Sequence, residues 1–428
     1  MPSTDSRKLE EALHVRLSPS LVAWFDAEAW QSGRGAEFSL PLSAGQIIDP
    51  EEGTIWSGFM LPDTLPLASN EYGDWLCVRI DNRGQVAEIL MWSHVGGDWI
   101  PYGRDWPDAL LFDAASEVLY HRRHEYYGED TGPDQPRAWS EWAAAWLAKS
   151  GTRVAPFWNT ATGSDRDIDP LAALHQAGIC SAATAMASLL RHLDAELRSV
   201  LTLPLAQQLG FAWEPDAVSW LFDTRLAPGP AKETLCQRTR VPADELFDQD
   251  WTAAESIARH VLRTRCDLGW AFDIVGWSAE RRGDFETAVD CYLGGIRPSL
   301  FADNTTRFRT HWFADGYGKF SAARLFELRD YLPDRLRQDP YLSLFLRNDN
   351  STLRSNVRDY WLERAHAAEH AGDHPRAYAC FYQAGWDMGL QDIDDFREIF
   401  RGLRDNASQA GWPALEAIAA LHRRFLPT

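Results

Sequence analysis

Short runs of β-branched and aromatic residues, separated by turn residues, mark the first third of the chain. Trp75-Leu76-Cys77-Val78-Arg79-Ile80 and Gln85-Val86-Ala87-Glu88-Ile89-Leu90-Met91-Trp92 flank Asp81-Asn82-Arg83-Gly84, which predicts a β-hairpin. A third strand, Trp99 to Tyr102, follows the turn Gly96-Gly97-Asp98. Before these runs the spacing is helical: Leu9 and Leu13, then Val15 and Leu17, lead into Ser18-Pro19, a step that caps and starts a second helix through Trp24 and Phe25 to Trp30. Between Phe38 and Met60 the pattern is strand-like and irregular. After the strands, Trp106-Pro107 opens a helix with apolar Leu110, Leu111, Ala115, Val118 and Leu119 on one face. The fold class expected for residues 1–127 is therefore α+β, an antiparallel or mixed sheet with flanking helices.

Beyond a Gly- and Pro-bearing tether, 128–137, the period of two all but disappears. Residues 138–428 read as an all-α domain, with helices over 140–148, 172–190, 205–209, 251–264 and most of 268–425. Within 268–428 two segments resemble each other. Phe272, Gly276, Ala279, Gly283-Asp284-Phe285, Ala288, Tyr292 and Gly295 match Trp361, Ala365, Ala368, Gly372-Asp373-His374, Ala377, Phe381 and Ala384. Small residues where paired helices cross, an aromatic filling the gap and Gly-Asp at the turn give tetratricopeptide-like spacing. The two turns lie 89 residues apart, which the roughly 34-residue tetratricopeptide period does not divide, so a degenerate array and two separate helical hairpins both fit.

Charge narrows the partners. Lys and Arg number 42 against 62 Asp and Glu, a net −20 over 428 residues, which disfavours nucleic acid and anionic membranes and suits a basic partner. Residues 1–130 hold 22 acids and 9 bases, a net −13, leaving −7 for the rest. The polar opening Met1 to Lys8 lacks the apolar core of a signal peptide. The uncharged stretch Leu171 to Leu190 is rich in Ala and Ser and broken by Gly178, so it reads as a buried helix pair and no membrane span. The six cysteines (Cys77, Cys180, Cys236, Cys266, Cys291 and Cys380) form no CxxC pair and read as reduced thiols of a cytoplasmic protein.

No nucleophile elbow and no phosphate-binding glycine motif occurs, so neither a catalytic set nor a cofactor site is expected. His121 and His124 have metal-ligand spacing, but two arginines intervene at a helix end, and no metal is expected there. His370 and His374 flank the turn Ala371-Gly372-Asp373 and read as solvated. The oddity is 20 tryptophans, several beside acids at loop positions. Glu71, Tyr72, Asp74, Asp98, Trp99 and Asp105 combine aromatic anchors with an acidic rim, which is what a site for a basic protein needs.

The stretch Leu65-Pro66-Leu67-Ala68-Ser69-Asn70-Glu71-Tyr72-Gly73-Asp74-Trp75-Leu76-Cys77-Val78-Arg79-Ile80 resembles the central motif of the SUKH superfamily, the Smi/Knr-type domain. The apolar-Pro-apolar step, polar turn and Gly-Asp leading into a strand carry the likeness. The opening Leu9-Glu10-Glu11-Ala12-Leu13 with Leu17-Ser18-Pro19 is also similar, over about residues 5–120. The resemblance implies a non-enzymatic protein-binding module, as in bacterial immunity proteins that bind and neutralise a cognate toxin. The family pattern places no catalytic residue, and Gly73-Asp74 also suits a purely structural turn. The long helical extension keeps two alternatives open: a scaffold or adaptor that binds its partner through the helical domain, and a hydrolase with a cleft between the domains.

Overall fold

The computed structural model of the chain describes residues 4–94, 96–124, 138–158, 168–189, 252–302, 319–346, 351–389 and 393–426, with single residues at 191 and 237. The expected tether 128–137, the helix expected at 205–209 and Cys236 lie outside these residues, and so do the side chains of His121 and His124. An N-terminal five-stranded antiparallel sheet with helices is followed by a largely helical region.

Helices α1 (Asp5–Leu13), α2 (Pro19–Asp26) and α3 (Ala44–Ile48) precede the sheet. Their starts are written locally. Ser18 Oγ accepts from the Leu21 N–H ahead of Pro19, and Ser43 with Gln46 forms a reciprocal capping box. Helix α2 stops at Asp26 instead of reaching Trp30, because Glu28 takes a left-handed φ of 48°.

The strands run in meander order: β1 (Leu40–Pro41), β2 (Thr64–Ser69), β3 (Trp75–Ile80), β4 (Val86–Trp92) and β5 (Trp99–Gly103). Three of them follow the sequence pattern closely. The stretch before Met60 that reads strand-like contributes only the two-residue β1 and the helix α3, and no period-two run marks β2. Pro66 hides β2, since proline lacks the N–H a central strand needs; the structure puts it at a bulge between Pro66 and Ala68.

Every residue of β2 and all but Arg79 of β3 are buried. An antiparallel sheet commonly leaves one face to water, so burial on both faces requires two covers. Helix α4 (Trp106–His124) packs on β4 and β5, with Trp106 edge-on to Trp24 at 5.3 Å and Trp139 of α5 (Ala138–Lys149) at 5.2 Å from Trp24. The second cover comes from the far end of the chain. Tyr382 of α13 (His374–Trp386) accepts from Arg79 at 3.3 Å, and Nε2 of His422 in α15 (Pro413–Arg424) lies 3.0 Å from the Thr64 carbonyl on β2.

Two compact units result: residues 1–184 with 361–385 and 390–428, and residues 185–360 with 386–389. The sequence draws its boundary elsewhere, at 128–137, assigning all of 138–428 to a separate helical domain. Return of the last helices to the sheet is a long-range packing event with no local signature.

The remaining helices of the first unit include α6 (Pro170–Gln176) and α14 (Ile393–Gln409). Helices α6 and α7 (residues 182–189), broken at Gly178 as expected, follow each other, and α7 runs across residue 184, where the first unit's N-terminal segment ends. The second unit holds α8 (Thr252–Leu262), α9 (Gly269–Arg281), α10 (Phe285–Gly295) and α11 (Phe320–Glu327). Helix α12 (Leu353–His370) bridges the sequence to α13.

The α9–α10 and α12–α13 turns share one construction. Gly283 (φ 76°) and Gly372 (φ 71°) take the left-handed position that ends a helix, and the next residue's N–H returns to Ala279 or Ala368. Asp284 and Asp373 then cap the following helix at Thr287 and Arg376. Gly276 sits against Tyr292, and Gly402 of α14 against Phe381; a Cβ on either would lie 2.6 Å from the ring.

A polar spine crosses the second unit along α11. Lys319 pairs with Asp387, and Tyr341 Oη donates to Asp387 at 2.8 Å; the three side chains are almost fully buried. Ser321 donates to buried Asp273, and Arg324 pairs with Glu280 and Glu327. Every buried cation here has its carboxylate, as the cost of burying an unpaired charge demands.

Candidate functional site: an acidic, aromatic end of the sheet

The hairpin β2–β3 turns through Asn70-Glu71-Tyr72-Gly73-Asp74. Asn70 Oδ1 accepts from the N–H groups of Tyr72 (3.0 Å) and Asp74 (2.9 Å), and Gly73 supplies a φ of 91° that a side chain would resist. The turn lifts Glu71 and Tyr72 into solvent; Tyr72 is 77% exposed, the most exposed of the large apolar or aromatic side chains among the described residues. Asp74 accepts from the His94 N–H at 2.9 Å and contacts the His94 ring nitrogen at the same distance, so it ties the turn to the end of β4.

The other three expected residues divide differently. Asp98 is 0% and Trp99 2% exposed, so neither can meet a partner from the surface. Trp99 begins β5 opposite Trp92, and the Arg79 guanidinium lies 5.4 Å from its ring centre. Asp105 accepts from Ser18 Oγ (2.6 Å) and Ser20 Oγ (2.8 Å) and from the Trp106 N–H, which fixes the start of α2 against that of α4. An acid beside a tryptophan in sequence says nothing of which is inside. Of the six, Glu71 and Tyr72 are exposed, Asp74 and Asp105 are half-buried and hold a turn and a helix start, and Asp98 and Trp99 are interior.

Three further side chains join Tyr72. Leu40 (51% exposed), Trp56 (42%) and Phe59 (48%) are exposed large apolar residues. The ladder register aligns Leu40, Ser69, Trp75, Trp92 and Trp99 across all five strands at one end of the sheet. The loop between α3 and β2 folds onto this row: the Phe59 carbonyl accepts from Trp92 Nε1 at 3.1 Å, and the Trp56 ring lies 6.1 Å from that of Trp92. Gly58 (φ 86°) lies against Phe396 of α14, which seats the loop from behind. Leu40, Trp56, Phe59 and Tyr72 thus border the sheet end from which the Asn70–Asp74 turn projects.

Within the stretch that builds this end the charge has one sign, although Arg424 of α15 reaches Asp49 at 2.7 Å and His94 lies against Asp74. Residues 35–78 contain Glu37, Asp49, Glu51, Glu52, Asp63, Glu71 and Asp74 and no Lys, Arg or His. Glu51 and Glu52 are exposed on the Trp56 loop. Asp63 is spent inside, paired with Arg79 at 2.8 Å. The gap in cations between Arg34 and Arg79 was the sequence signal that would have picked out Trp56 and Phe59.

Among the described residues no group of three or more His, Cys, Asp and Glu could hold a metal ion, and no helix is long and apolar enough to cross a membrane. His374 is not simply solvated: its Nδ1 lies 3.0 Å from Asn406 Oδ1. No family model, curated protein or solved structure matches the chain.

Proposed function

We propose that the chain is a protein-binding module whose acidic, aromatic sheet end takes a basic polypeptide partner. The carrying observation is a coincidence: four of the five exposed large hydrophobic side chains among the described residues fall within 35–78, the same stretch that lacks any cation. Exposed aromatics supply anchoring area at an interface, and an excess of carboxylates speeds encounter with an oppositely charged partner. The hairpin that presents Tyr72 is the segment whose sequence resembles the SUKH motif. That resemblance favours an immunity protein that neutralises a cognate toxin by stoichiometric binding. A non-catalytic scaffold is the second reading, favoured by the matching Gly-Asp turns at Gly283 and Gly372, which suit tetratricopeptide-like helix pairs.

Affinity capture by the full chain from its native cells tests the proposal, with the triple variant Trp56→Ala/Phe59→Ala/Tyr72→Ala run beside it. The reading expects a basic protein retained at low salt, released at high salt and absent from the variant. A partner held equally by both chains refutes the sheet-end reading.

A further inference from the structure

One groove in the second unit opposes the charge of the chain. It lies along α8 and the end of α9, has a volume of about 640 Å³, and is lined by Glu255, Ser256, Arg259, His260, Arg263 and Arg282 among others. Helix α8 buries Ala254, Ala258 and Val261 and leaves Arg259, His260 and Arg263 exposed. Among the described residues that line it, three guanidiniums and one carboxylate sum to +2, in a chain whose net charge is −20.

Glu255 organises these cations. Its Oε1 accepts from Arg259 Nε at 2.7 Å, and its Oε2 accepts from Arg282 Nη1 at 2.6 Å and Ser278 Oγ at 2.5 Å. Partial burial raises its pKa, but the donors of Arg282, Ser278 and Arg259 outweigh that and hold the carboxyl ionised down to about 2. One carboxylate therefore clips two arginines side by side, although each stays about half-exposed. Arg263 Nη2 donates to His260 Nδ1 at 2.6 Å. A guanidinium cannot accept, so His260 Nδ1 is the acceptor, and a neutral ring then carries its proton on Nε2. Arg259 spends only Nε on Glu255, which leaves both its Nη groups with donors to offer.

We infer that this groove binds a small phosphorylated molecule, its phosphate held between Arg259, Arg263 and His260. The local +2 matches a phosphate monoester, which carries roughly −1.5 to −2 at neutral pH, better than a single carboxylate. Forked guanidiniums suit tetrahedral oxyanions. The volume lies within the roughly 300–1,000 Å³ of small-molecule sites and exceeds a bare phosphate, so an organic portion fits beside it. A long polyanion would meet the chain's net negative field, whereas a small dianion need meet only the groove. The inference is independent of the sheet end.

Isothermal titration of the full chain at low ionic strength tests it, with inorganic phosphate and a mononucleotide as probes. One saturable site is expected, with at least tenfold weaker binding in Arg259→Gln/Arg263→Gln and unchanged binding in Arg423→Gln/Arg424→Gln, a surface pair on α15. Tighter binding of the mononucleotide assigns the organic portion to the groove; equal binding assigns free phosphate. No saturable binding of either probe, or equal affinity in the Arg259/Arg263 variant shown folded by circular dichroism, overturns it.

Discussion

Lowering the pH from 7 to 5 should destabilise the first unit through one residue, His422. Its side chain is fully buried, stacked on Phe400 at 5.8 Å between ring centres and facing the Thr64 carbonyl. That carbonyl can only accept, so Nε2 donates to it. Among the described residues Nδ1 has no hydrogen-bond partner. Burial depresses the pKa from 6.5 to about 4, against smaller raising effects of the Thr64 carbonyl and the Asp63 charge. The unfolded chain therefore takes up a proton between about 6.5 and about 4 that the folded chain refuses. Stability is highest above that window, falls as pH drops through it and levels off below about 4. At roughly 1.4 kcal/mol per pKa unit the full loss is on the order of 3 kcal/mol, of which about 2 kcal/mol has gone by pH 5. Urea midpoints measured from pH 7.5 to 5 for the wild type and His422→Gln, whose amide can still donate to Thr64, isolate this contribution. The wild-type curve should fall more steeply. Parallel curves, or an NMR titration of the His422 ring near 6.5 in the folded protein, would refute the reasoning.

Gly402→Ala should cost about 1–3 kcal/mol in thermal or urea unfolding, because the new methyl would meet the Phe381 ring at 2.6 Å. Lys319→Met should cost about 3–5 kcal/mol by leaving Asp387 buried without its cation, and the double variant Lys319→Met/Asp387→Leu should recover part of that loss. Of the described cysteines, exposed Cys180 and Cys266 should react first with a thiol reagent under native conditions, while Cys77, buried and with its pKa pushed far up by desolvation, should label only on unfolding. Trp56→Ala/Phe59→Ala should weaken partner binding by about 2 kcal/mol or more while leaving the unfolding midpoint near wild type, since both side chains are substantially exposed.

Local patterning was enough for β3, β4 and β5, for the cap at Ser18, and for the Gly-Asp turns, because each is decided by residues a few positions apart. It missed the capping box at Ser43 and helix α3 in a stretch that reads strand-like. It failed at β2, where Pro66 argues against a strand unless a bulge is foreseen. The unit that holds the sheet also takes in 361–385 and 390–428, whose Tyr382 and His422 reach β3 and β2, and no local pattern announces that return. One hint was present: Trp75 to Ile80 is almost continuously apolar, which suits a strand buried on both sides. The binding residues show the same limit. Asp74 and Trp75, Asp98 and Trp99, and Asp105 and Trp106 look alike in sequence, yet Asp105 is tied to two serines and Asp98 is inside. What distinguishes the exposed end is regional, the run of residues 35–78 without a cation, and no single motif expresses it.

Hydrogen–deuterium exchange of the full chain, free and saturated with its captured partner, addresses the central claim most directly. The account predicts new protection concentrated over 35–78, strongest at the 51–60 loop and the Asn70–Asp74 turn. Protection confined to the helices between 252 and 370, with the sheet end unchanged, would contradict it and hand the binding role to the helical region.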